Sequence, residues 1–182
     1  MRFLVPAVAI AAAACASRET PAAKPPTDSA FAEVQERGAA VMGVDQYTST
    51  HVFEDLPDGG RIVLERSDPA DSAGIATIRA HMRQIAADFT AGDFSKPFAV
   101  HAMVVPGTKT MAKRRDRITY EASDRPQGAE VRIRTADTQA IAAVHEFLAF
   151  QRSDHRAAGH EDMDHSAHMG TSSARPAGAP PK

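Results

Sequence analysis

Two turn signals, each set between strand-forming runs and each followed by an amphipathic helix, constrain this chain more than any other feature. His51-Val52-Phe53-Glu54 and Arg61-Ile62-Val63-Leu64-Glu65 flank Pro57-Asp58-Gly59-Gly60. Glycines at such a reversal supply positive φ, so Thr50 to Arg66 reads as a β-hairpin. The pattern returns where Ile118-Thr119-Tyr120-Glu121 and Glu130-Val131-Arg132-Ile133-Arg134 flank Asp124-Arg125-Pro126-Gln127-Gly128. After the first hairpin, Asp68-Pro69 is expected to open a helix with proline in its first turn. Ile75, Ile78, Met82, Ile85 and Phe89 lay an apolar stripe along it, and Gly92-Asp93 ends it. After the second hairpin, Asp137 is placed to cap a helix with Ile141, Val144, His145 and Leu148 on one face.

Between the halves, Phe98 to Val105 is rich in strand formers and stops at Pro106-Gly107, which predicts a further strand. A leading helix over residues 30–41, capped by Ser29, has Phe31 and Val34 on one side, with Gly38 weakening it. One apolar face per hairpin and one stripe per helix call for an α+β two-layer domain over residues 31–152. Its antiparallel sheet is expected to hold both hairpins plus the one strand, with two helices on one face and an echo of a ββα repeat.

The chain has 182 residues, a formal net charge of -2 and no Trp, so nothing in it suggests a nucleic-acid partner or a large stacking platform. Its start is distinctive. Arg2 precedes the apolar run Phe3 to Ala14, which small residues close just before Cys15, the pattern of a secretory signal. The run falls short of the ~20 apolar residues that a membrane span needs, and Pro6 interrupts it.

The segment before Cys15 resembles the lipobox of bacterial lipoproteins, although Ala12 stands where that motif usually has Leu or Val. The resemblance implies a signal over residues 1–15, lipid on Cys15 and export to the periplasm. Ala16 in place of Asp implies anchoring to the outer membrane. Ordinary cleavage after Ala14 or Ala16 is the alternative, giving a soluble secreted form. Residues 16–30 are Pro/Ala-rich and suit a tether. Lipidation would consume the only thiol, leaving the domain without a disulfide.

Residues 153–182 lose the apolar rhythm and are predicted to stay disordered. Within them, Gly159-His160-Glu161-Asp162-Met163-Asp164-His165-Ser166-Ala167-His168-Met169-Gly170 gathers imidazoles, thioethers and carboxylates. This stretch is similar to the His/Met-rich segments of bacterial periplasmic copper-handling proteins, without their repeated Met-x-x-Met array. The resemblance implies His160, Met163, His165, His168 and Met169 as ligands, with copper foremost and zinc or nickel as alternatives.

Inside the domain, His101 and Met103 would share one face of the predicted strand, a compact bidentate pair for copper. His51, His81 and His145 either hydrogen-bond within the fold or converge with His101 on a metal. Lys109, Lys113, Arg114, Arg115 and Arg117 form a basic run that reads as a solvated connection, or as a phosphate or lipid-headgroup contact. There is no Gly-x-Ser-x-Gly elbow and no phosphate-cradling glycine loop.

The expectation is an envelope protein that binds a transition metal as a buffer or delivery protein. The alternatives are a non-enzymatic module docking another envelope protein through its open sheet face, and a metal-dependent enzyme built on His51, His81 or His101.

Overall fold

The structure, a computed structural model, describes residues 27–157. The signal, Cys15 and the tail ligands His160, Met163, His165, His168 and Met169 lie outside the described residues. Within them, no helix is long and apolar enough to cross a membrane.

Both hairpins form. The first comprises β1 (Ser49–Leu56) and β2 (Gly59–Arg66), the second β3 (Thr119–Arg125) and β4 (Gly128–Arg134). They join through their second strands into one antiparallel sheet, ordered β1-β2-β4-β3. Ile62 and Val131 are each the fourth residue of their strand, and the register sets them opposite one another. The two ββα units therefore meet about an approximate two-fold axis through that pair.

The helices after the hairpins are α2 (Ser72–Ala91) and α5 (Thr138–His155), and both pack on the same sheet face. Ile78, Met82, Ile85 and Phe89 of α2 meet Val144, Phe147 and Leu148 of α5 over Phe53, Ile62, Leu64, Val131 and Ile133. Asp137 caps α5 as expected, accepting from the backbone N–H groups of Gln139 and Ala140 at 2.9 and 3.0 Å. The α2 start differs. Asp68 accepts from Ala70 N–H at 2.8 Å and turns the chain around Pro69, so Asp71 becomes the cap by accepting from Gly74 N–H at 2.9 Å.

The leading helix α1 (Asp28–Met42) is capped by Thr27 rather than Ser29 and ends at Gly43 in the left-handed conformation. A 3-10 turn (Gln46–Thr48) leads from it into β1. Gly38 has a packing reason to be small, because a Cβ there would lie 3.1 Å from Oε1 of Gln46.

The predicted strand over Phe98 to Val105 is not one, and the sheet has four strands. Residues 95–101 form a short helix, α3 (Ser95–His101). Asp93 accepts from Ser95 N–H at 2.8 Å, and Pro97 sits in the first turn, where it costs no helical hydrogen bond. Arg37 of α1 donates to the Val100 carbonyl at 2.6 Å, tying the end of α3 to the leading helix. The run's β-branched residues were outweighed by a helix start and by this tertiary contact.

The basic run also acquires structure. It occupies α4 (Thr108–Lys113) and a 3-10 turn (Arg115–Arg117), with Arg114 paired to Asp137 and Gln139 at the start of α5.

The face of the sheet away from the helices is charged. Glu54 pairs with Arg61 directly across β1 and β2, and Arg125 reaches Glu65 and Glu130 at 3.1 Å. Glu54 is buried beneath its partner and the other pairs are half-buried, so the carboxylates on this face are held against guanidinium groups rather than left to water.

Candidate functional site

A cavity of about 80 Å³ lies between the core face of the sheet and the helices. Its walls are apolar: Phe53, Ile62 and Leu64 from the sheet, Ile85 and Phe89 from α2, Phe147 from α5 and Val100 from α3. Val41 and Met42, in the last turn of α1, also line it, and Met82 of α2 adds a second thioether. Set into this apolar wall are His51 of β1, His81 of α2 and His155, the last residue of α5.

His51 and His155 stack with ring centroids 5.2 Å apart and planes 13° from parallel. His155 also lies against Phe53 at 5.6 Å and edge-on to His101 at 5.0 Å. Nε2 of His51 and Nδ1 of His155 are both buried and have no hydrogen-bond partner. Leaving one such atom unsatisfied typically costs about 1–3 kcal/mol, so two beside the same cavity ask for an explanation.

Electrostatics keep these rings neutral at pH 7. Burial pushes His51 down to about 4, helped by the nearby His81. Burial likewise lowers His81 to about 4, with Lys96 pushing the same way and Asp88 opposing. His155 is held well below the ordinary 6.5, chiefly by burial and then by His51 and His101. A neutral imidazole keeps one lone pair free for a proton donor or a metal.

The other histidines are committed elsewhere. His101 and Met103 do not form the expected pair. His101 ends α3 and is 8% exposed, whereas Met103 lies beyond the helix and is 46% exposed. The alternation that would have aligned them belongs to a strand, and α3 is a helix. Both His101 nitrogens are engaged: Nδ1–H donates to Asp154, and Nε2 lies 2.9 Å from Gln151 Oε1. The Nε2–H of His145 points at the carbonyls of Leu56 and Gly59, each 2.9 Å away, and so pins α5 to the first hairpin turn. That is a structural role.

Of the histidines expected to converge, His51 and His81 reach the cavity and His145 does not. His155, which the sequence reading sets beyond the domain's expected end at residue 152, stands beside them. The available signal was spacing. Val144, Leu148, Gln151 and His155 continue one α5 stripe at three- and four-residue steps, and Gln151 is buried. Polar side chains at the last two positions hid it from a reading based on apolar residues.

Among the described residues, no group of three or more His, Cys, Asp or Glu side chains is arranged to hold a metal ion. No family model matches the chain, and neither a curated protein nor a solved structure matches it. The reading of the site therefore rests on its chemistry.

Proposed function

We propose that this is an exported envelope protein, anchored through lipid on Cys15, that binds a transition metal, copper foremost, as a buffer or delivery protein. The observation that carries the reading is the position of His155. The helix that ends there delivers the chain to a cavity lined by neutral imidazoles and thioethers. The segment with His160, Met163, His165, His168 and Met169 begins only a few residues further on. At about 3.5 Å per extended residue, His160 lies within about 18 Å of His155 along the chain. The two sets of soft and borderline donors are thus close in sequence, which would suit catching an ion on one and holding it on the other.

The test is elemental analysis of the full chain purified from a native envelope fraction, followed by copper and zinc titration. The expected result is copper bound at a stoichiometry that falls when the five tail ligands are replaced by Ala and Leu. A full chain that binds neither metal would overturn the reading.

A second reading, a module that docks an envelope partner, is favoured by one surface. Phe98, Met103 and Val104 are 52%, 46% and 51% exposed around the end of α3. That apolar edge, rather than the charged sheet face, is where such a partner would sit. Pull-down from solubilised envelope with Phe98→Ser as the control tests it, and equal recovery with both forms would dismiss it.

A further inference from the structure

We propose that the cavity holds a single cuprous ion between Nε2 of His51 and Nδ1 of His155, with the thioether of Met82 or Met42 as a third ligand. The inference deepens the metal-binding reading by assigning an ion and ligands to the folded domain itself.

Three observations converge on it. First, the two donor atoms are buried, unpartnered and carried by rings in mutual contact. An imidazole nitrogen binds a metal at about 2.0 Å and lies a little over 1 Å from its ring centre, so rings sharing one ion have centroids at most about 6.4 Å apart. The 5.2 Å separation of His51 and His155 falls inside that limit. The rings of the metal-free domain lie 13° from parallel, so sharing one ion requires both to turn until their lone pairs meet at a common point.

Second, the donor set is soft and sparse. His81 lines the same wall but does not join His51 and His155 in a three-ligand group. Zinc is ordinarily held by three or four protein ligands in a tetrahedral set, whereas a cuprous ion accepts fewer and favours thioether beside imidazole. Third, the wall is apolar. Moving an ion out of water costs energy roughly as the square of its charge, so a monovalent ion enters such a site far more readily than a divalent one.

The test uses the full chain with the five tail ligands replaced, so that only the domain can bind. Under anaerobic reducing conditions it is titrated with Cu(I) against a chromogenic chelator, and separately with Ag(I) as a redox-inert stand-in. One equivalent of each should bind, with no matching zinc site. His51→Gln and His155→Gln should each abolish it, with circular dichroism verifying the fold. Met82→Leu and Met42→Leu preserve volume, and one of them should weaken binding about tenfold or more.

If the tail-replaced chain binds no Cu(I) while the unaltered chain does, the core site is wrong and the broader metal reading stands. If neither binds, both fall. Binding undiminished by either histidine change would also overturn the assignment.

Discussion

Ile62 faces Val131 across the middle of the sheet, each the fourth residue of its hairpin's second strand. Val131 is fully buried and Ile62 nearly so, beneath α2 and α5. Replacing Val131 with Thr keeps the shape but places a hydroxyl at the centre of the seam. Burying it without a partner should cost about 1–3 kcal/mol, read as a lower urea midpoint with an unchanged slope.

The first hairpin leaves no room for a methyl group just after its turn, at the second residue of β2. A Cβ on Gly60 would fall 2.3 Å from Leu148 Cδ1 and 2.7 Å from the Glu54 carbonyl. Gly60→Ala should destabilise the domain by about 1–3 kcal/mol through overpacking, and Leu148→Ala in the same chain should recover none of the backbone part of that clash. Thermal melts of the single and double variants separate the two contributions.

Arg152 ties the last turns of α5 to the edge strand. Its guanidinium donates to both Asp55 oxygens at 3.0 and 2.9 Å and to the Phe53 carbonyl at 2.8 Å. Asp55→Ala should therefore cost about 1–2 kcal/mol and should speed amide exchange along β1 more than along β4. Uniform protection loss would argue against this local role.

The folded domain reaches past Ser153. Asp154 accepts from buried His101, so a chain ended at Ser153 loses that partner as well as His155. Such a chain should melt several degrees below one ended at Ala157, consistent with about 1–3 kcal/mol for stranding a buried polar group. Equal melting temperatures would show the contact to be dispensable.

Acid should weaken the metal-free domain. His51 and His81 sit at about 4 when folded, against the ordinary 6.5 that they regain on unfolding. Between those limits the unfolded chain binds more protons, so stability is full above pH 6.5 and falls as pH drops towards 4. Each ring should account for up to about 3 kcal/mol of loss across that window, and His81→Gln should flatten the slope. Urea midpoints measured at intervals of pH would reveal it.

Much of the fold was legible from local chemistry. The Asp58-Gly59-Gly60 reversal, the stripe from Ile75 to Phe89 and the Asp137 cap each act over a few residues, and each took the predicted form. The misreading at Phe98 to Val105 has the opposite origin. A nearly continuous apolar run of that length suits either a strand or a short helix, and Arg37, distant in sequence, ties down the end of α3 in the helical form. The site shows the same division. His51 and His81 stand in elements whose apolar pattern marks them, whereas polar Gln151 and Asp154 beside His155 give the end of α5 the look of a solvent-facing segment.

The sequence by itself determined the two ββα units, their apolar faces and the residues of the domain's main helices, since periodicity and turn chemistry are local properties. Only the tertiary structure decided that the second strands pair Ile62 with Val131, that His101 is used up by Asp154 and Gln151, and that His51 meets His155 beside a cavity. Those relationships join residues far apart in the chain. Burial, lone-pair availability and ring contact exist only once the helices have closed over the sheet.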